Sequence, residues 1–167
     1  MVRACEVSCR MGTLTEQEAR TLAVFAGTIL DNPYIPHDPT VQQARFLMCD
    51  CLEAFYGGAA GGGKSDALLM AALQYVHVKG YAALLLRKSY PDLALPGALM
   101  DRGRDWLHGT EAKWDDKNKT WHFPSGASLT FGYLATETDK YRYKSAEFQF
   151  VGFDELTQFD EPSYLYL

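Results

Sequence analysis

"YGGAAGGGKSDALL", Tyr56 to Leu69, is the stretch on which the reading of this chain turns. Five glycines fall within it, and the run closes on Gly63-Lys64-Ser65. Glycine gathers in one loop where backbone N–H groups must come very close to a bound group. Gly58-Ala59-Ala60-Gly61-Gly62-Gly63-Lys64-Ser65 satisfies G-x-x-x-x-G-K-[ST], the phosphate-cradling Walker A pattern. Each part has a task. Gly58, Gly61, Gly62 and Gly63 let successive N–H groups turn inward as an anion nest. A helix starting near Lys64 adds the positive end of its dipole. Lys64 can reach the outer phosphates as a point charge, and the Ser65 hydroxyl is placed to ligate Mg²⁺. The plain alternative is a flexible glycine turn.

The flanks favour the phosphate reading. Glu53 to Gly57 (EAFYG) predicts a short buried strand entering the loop. Asp66 to Val78 (DALLMAALQYVHV), rich in Ala and Leu, predicts a helix leaving it, stopped by Gly80. Tyr81 to Arg87 (YAALLLR) is a continuous apolar run, as expected of a strand covered on both faces. Ser89-Tyr90-Pro91-Asp92 turns the chain into a predicted helix over about 92–107. "KTWHF" and "SLTFGY" flank Pro124-Ser125-Gly126 and predict a β-hairpin. On the N-terminal side, residues 13–31 predict a helix with a Thr15–Glu18 capping box, and residues 41–52 a second one after the Pro-punctuated connector Asn32 to Pro39. Strand, helix, strand, hairpin, strand points to an α/β fold with a parallel core.

A second motif is needed for hydrolysis. Glu147 to Glu155 (EFQFVGFDE) is an apolar strand ending in two carboxylates, with Asp154 placed 89 residues after Ser65. An aspartate at the end of a buried strand can hold Mg²⁺, and the glutamate after it can orient and deprotonate a water. This is the Walker B pattern. Asp154 followed by Glu155 favours an ATPase over a kinase or GTPase, so ATP and Mg²⁺ are the expected cofactors. The alternative is a strand that merely ends in a polar turn.

Composition bounds the class. With 167 residues, 47% apolar and 22% charged, the chain suits one ordinary globular domain. No apolar run approaches a membrane span, and the N-terminus lacks a signal-peptide core, so no membrane partner and a cytosolic location are expected. The net charge of −5 argues against a DNA-coating protein but allows a motor that touches DNA through a small patch. Cys5, Cys9, Cys49 and Cys51 could in principle form a four-thiolate zinc site, but their spacing does not match the common C-x2-C pairs, and reduced thiols are expected. Trp106, Trp114 and Trp121 could offer a base-stacking platform; core and hairpin packing is the expectation. The four histidines lack metal-ligand spacing.

These residues resemble those of one family: the N-terminal ATPase domain of the large terminase subunit of tailed bacteriophages, a DNA-packaging motor. The resemblance runs from about Leu14 to the last residue. It rests on "YIPHDPTVQQARFL", "YGGAAGGGKSDALLMAALQYV", "LLLRKSYPDLALPGAL", "TWHFPSGASLTFGYL" and "DKYRYKSAEFQFVGFDELTQF", in that order. It implies a P-loop NTPase of the ASCE, RecA-like kind: a parallel sheet flanked by helices, with a β-hairpin insertion. Residues 1–38 would be an N-terminal helix and connector, and 39–167 a partial ATPase domain. The glutamine before the first strand, Gln43 with Gln42 beside it, resembles the adenine-recognising Q motif; a primary amide can pair with both a donor and an acceptor on adenine. Some family members carry an arginine inside the glycine loop, where this chain has Ala59 and Ala60. Arg142 resembles the position of an arginine finger acting in trans, with Arg87 as its competitor. A finger in trans implies a ring-forming homo-oligomer. Double-stranded DNA, the phage portal and the small terminase subunit are the implied partners, in the cytoplasm of a bacterial host.

The family's longer proteins continue into a coupling motif, further strands and a nuclease domain, whereas this sequence ends at Leu167, twelve residues after Glu155. The expectation is therefore a truncated fragment, such as a prophage remnant or split gene product, without the last strands of its sheet, without nuclease activity and inactive on its own. The rival readings are a helicase-like or recombination ATPase and a non-enzymatic remnant.

Overall fold

The computed structural model describes residues 15–58 and 61–167. Helix α1 spans Glu16–Phe25 and opens with the expected capping box: Thr15 N donates to Glu18 Oε2 at 2.8 Å, and Glu18 N donates to Thr15 Oγ1 at 3.2 Å. Glu16 and Glu18 in the first turn also suit the helix dipole. The helix widens into a π-helical turn over Ala26–Leu30, which buries Ile29 beside Phe25. Asn32 then ends it. Its Nδ2 donates to Thr28 O at 2.9 Å and to Leu73 O at 3.0 Å, while its Oδ1 accepts from Tyr34 N at 3.0 Å. One side chain thus fastens the connector to a distant helix.

Helix α2 (Val41–Leu47) is shorter than its predicted span and is capped by Thr40. Helix α3 (Lys64–Leu73) follows the glycine loop, and strand β1 (Ala82–Arg87) follows α3. Leu84, Leu85 and Leu86 of β1 are fully buried, as its unbroken apolar run requires. The predicted helix over 92–107 is two helices, α4 (Tyr90–Ala94) and α5 (Leu99–Leu107). Pro96-Gly97 separates them: Gly97 sits at φ 75°, and its N–H donates to Asp101 Oδ2 at 2.8 Å.

Strands β2 (Lys113–Asp115), β3 (Thr120–His122), β4 (Ser128–Tyr133) and β5 (Phe150–Phe153) complete a five-stranded sheet in the order β2-β3-β4-β1-β5. The expected parallel core is present as β4-β1-β5, and the hairpin strands extend it into a mixed sheet. β1 runs parallel to both β4 and β5, whereas β2, β3 and β4 are antiparallel. The hairpin around Pro124-Ser125-Gly126 is no appendage, because its second strand is the parallel neighbour of β1.

The alternation of β1 divides the core. Ala83 and Leu85 face α3, α4 and α5 together with Leu129, Phe131 and Trp121. Leu84 and Leu86 face the other way, against Leu134, Tyr143, Phe148 and Phe159. Trp114 lies 5.2 Å from the Trp121 ring, so the hairpin tryptophans pack on each other. A 3-10 turn over Glu137–Tyr143 and helix α6 (Glu161–Tyr166) cover the second face.

The predicted strand at Glu53–Gly57 does not form. Both sides of β1 are taken by β4 and β5, and residues 53–57 join no ladder. Their aromatics lean on helices instead. Tyr56 lies 5.0 Å from Phe46, and Phe55, 58% exposed, lies 6.2 Å from Tyr164 of α6. The Tyr164 ring in turn lies 5.2 Å from Phe153 of β5. No helix among the described residues is long and apolar enough to cross a membrane. Cys5 and Cys9, half of the four-thiolate possibility, lie outside the described residues, as do Ala59 and Ala60 of the loop.

Candidate active site

Parallel strands bring their C-terminal ends to one edge of a sheet, and that edge is where α/β proteins place their chemistry. Here the edge carries Arg87 at the end of β1, Tyr133 at the end of β4 and Asp154 just past β5. Asp154 N donates to Leu86 O at 2.9 Å, which holds the carboxylate level with Arg87. Arg87 Nε donates to Asp154 Oδ2 at 2.8 Å, and its Nη2 stands 4.0 Å from Glu155 Oε1. The Asp154 side chain is only 8% exposed, while that of Glu155 is 46% exposed. Two adjacent carboxylates therefore have different surroundings: one buried and paired, one reaching solvent.

The backbone makes that division. Glu155 sits at φ 57°, ψ 54°, a left-handed conformation unusual for a residue with a side chain. Leaving the strand through this kink turns the Glu155 side chain away from the course of β5. Such a conformation costs on the order of 1–3 kcal/mol and persists only where its surroundings impose it.

The glycine loop is shaped by positive φ angles at Gly58 (153°), Gly61 (78°) and Gly63 (70°). Gly63 caps α3. A Cβ on it would lie 2.7 Å from Gln43 Nε2, so glycine is required both for the angle and for the space. Gln43 is buried and works within the chain: Nε2 donates to Gly63 O at 2.8 Å, and Oε1 accepts from Thr40 N at 2.8 Å. The second bond belongs to a Thr40–Gln43 capping box, which turns Gln43 rather than Gln42 toward the loop. The T-x-x-Q spacing was a readable signal for it. Lys64 Nζ reaches back across the loop to Gly58 O at 3.0 Å. Ser65 lies in the first helical turn, whose N–H groups precede the first α-helical bond, Ala67 N to Gly63 O at 3.0 Å.

Asp66, beside Ser65, was not singled out from the sequence. Its carboxylate accepts from Arg102 of α5 and lies 3.8 Å from His37 Nε2, so the start of α3 is tied to two other parts of the chain. Two residues later Leu68 meets β5. A Cβ on Gly152 would be 2.8 Å from Leu68 Cδ1, which makes Gly152 the close-approach point between α3 and the strand bearing Asp154. Helix α3 therefore packs on β5 two residues before Asp154.

Arg142 sits on the 3-10 turn over the second face. It pairs with Asp139 at 3.0 Å, lies 4.8 Å over the Tyr133 ring, and its side chain is 53% exposed. A hydrogen bond with the Tyr133 side chain raises its pKa above the usual arginine value, with the Asp139 charge adding to the effect. Arg142 thus stands near the end of β4, while Arg87 holds the carboxylates directly.

Residues 55–167 match the family model described as "Terminase large subunit, T4likevirus-type, N-terminal". No curated protein and no solved structure matches the chain.

Proposed function

Since this chain belongs to the terminase large subunit family of the T4-like type, through its N-terminal region, we propose that it is a P-loop ATPase of the ASCE kind, the energy-supplying part of a DNA-packaging motor. One observation carries the reading. A buried carboxylate, Asp154, and an exposed one, Glu155, stand at the end of β5, the strand against which the helix that follows the glycine loop packs through Leu68.

The residues fit ATP and Mg²⁺. The Cβ positions of Gly57, Gly58 and Gly61 have nothing within 4 Å, so the loop leaves room beside its backbone. Asp154 already takes a cationic partner. ATP and Mg²⁺ supply a phosphoanhydride bond and a Lewis acid. Lys64 and the loop N–H groups would hold phosphate oxygens, and Ser65 and Asp154 would hold the metal. Glu155, free to meet solvent, would orient a water and accept its proton. Gln43, buried and with both amide atoms engaged within the chain, would act by fixing Gly63, and an adenine contact would require it to leave those bonds. Arg142, from this or a neighbouring subunit of a ring, would oppose the charge that develops on the phosphate. Packaging partners follow from the family in general: DNA, with the portal and small subunit as proposals, in the bacterial cytoplasm.

Steady-state ATP hydrolysis by the chain tests this reading. Turnover abolished by Glu155→Ala and by Lys64→Ala is the expected result. Turnover that survives both substitutions, or nucleotide that fails to bind at all, would sink it. Stimulation by DNA without any packaging partner would favour the helicase-like alternative.

A further inference from the structure

Arg87 has a feature that the hydrolysis reading does not use. It is the last residue of β1, a strand whose three preceding leucines are fully buried, so its backbone is fixed and only its side chain can travel. That side chain is divided between two carboxylates. Of its five N–H donors, one makes a hydrogen bond, from Nε to Asp154 Oδ2 at 2.8 Å, while Nη2 stands 4.0 Å from Glu155. Arginine–carboxylate pairs are frequently bidentate, which adds strength and rigidity, and this pair is not.

Resting on the nucleotide reading above, we propose that Arg87 is a positioning residue that holds the place of the metal: its guanidinium occupies Asp154 and leans on Glu155, and it exchanges for Mg²⁺ when nucleotide is loaded. A carboxylate only 8% exposed needs a cation beside it, since an unpaired charge at that depth is strongly destabilising. Arg87 meets that need from within the chain. A divalent ion at the same carboxylate would repel the guanidinium across a partly buried gap, so the two positive groups compete. The guanidinium displaced from Asp154 remains at the phosphate end of the sheet, where it can pair with phosphate oxygens in its fork geometry.

The competing role is ordinary support, in which Arg87 orients Asp154 for the metal. The two roles predict opposite signs. Mn²⁺ alone, followed by electron paramagnetic resonance, is the probe. Arg87→Met is expected to bind Mn²⁺ about tenfold more tightly than the unmodified chain, because a positive charge has been removed beside the ion. Arg87→Met combined with Asp154→Asn is expected to lose that gain. Unchanged affinity, or a loss of about 10–100-fold as for a supporting partner of a metal ligand, would overturn the proposal.

A second measurement uses the unmodified chain and does not depend on the variant folding. The Arg87 Nε–H resonance is expected to leave its carboxylate-bonded position on addition of Mg²⁺ with ADP, and a resonance that stays in place would overturn the proposal. Failure of the nucleotide reading looks different. In that case ADP does not bind at all, while Mn²⁺ still reports on Asp154 and Arg87.

Discussion

The two ends of α3 are built by opposite rules. At its C-terminal end the last two carbonyls are met by side chains from elsewhere. Asn32 Nδ2 donates to Leu73 O at 3.0 Å and Tyr81 Oη donates to Ala72 O at 3.1 Å, and in the turn that follows the helix Ser125 Oγ donates to Val76 O. Gln74 Nε2 adds a bond to Thr28 Oγ1 at 3.2 Å. At the N-terminal end no side chain among the described residues caps the helix. Gly63 in a left-handed conformation starts it, and the loop before it is glycine. The contrast separates two uses of hydrogen bonding. Saturating a helix end locks a helix into the fold, whereas leaving an end open reserves its N–H groups for a ligand.

Substitutions at the two ends should therefore fail in different assays. The largest effect is expected at the open side of the site: Glu155→Gln should lower ATP turnover about 10²–10⁴-fold with little change in the denaturant midpoint. At the closed end, Asn32→Ala should cost about 1–3 kcal/mol in urea unfolding, because two buried carbonyls lose a side-chain donor. If Asn32→Ala instead abolished nucleotide binding while leaving stability intact, the division between the two ends would be wrong.

Gly63→Ala lies between the two cases. It meets both the positive φ and the Gln43 contact, so a loss of about 1–3 kcal/mol and weaker ADP binding should appear together. Calorimetric titration beside thermal unfolding would check both readouts.

A smaller effect concerns pH. Burial pushes the Tyr81 hydroxyl well above its ordinary value, with nearby Tyr75 adding to the shift. A group whose folded pKa is raised contributes stability that is fully present below its unfolded pKa and is lost as pH rises beyond it. Stability should accordingly decline above about pH 10. Tyr81→Phe should cost about 1 kcal/mol at neutral pH and flatten that alkaline decline, as urea titrations at several pH values would show.

The site was more legible in the sequence than its surroundings. The glycine loop and the strand ending in Asp154-Glu155 are local patterns, and each could be read without knowing its neighbour. β1 was legible for a related reason, since burial on both faces leaves an uninterrupted apolar run. What stayed hidden depends on partners far along the chain. Glu53–Gly57 has strand-like composition, but a strand exists only where a ladder partner is available. The break at Pro96-Gly97 was visible in the residues, yet helical spacing on both sides concealed it. β2 is three residues long and carries too little pattern to read. Arg87 was read as a possible finger, and nothing in its local sequence announces a bond to a residue 67 positions away. Gln43 shows the intermediate case, because its capping spacing was present while its bond to Gly63 O was not foreseeable.

Glu155 adds a consequence for anyone breeding this protein in the laboratory. Its left-handed backbone suits asparagine or glycine better than glutamate. Glu155→Asn should raise stability by up to about 1 kcal/mol, as thermal unfolding would measure, while removing the carboxylate. A library sorted only for heat resistance would drift away from glutamate at this position and enrich sturdy, inert variants. If Glu155 activates water as proposed, a screen for turnover is what would keep glutamate there.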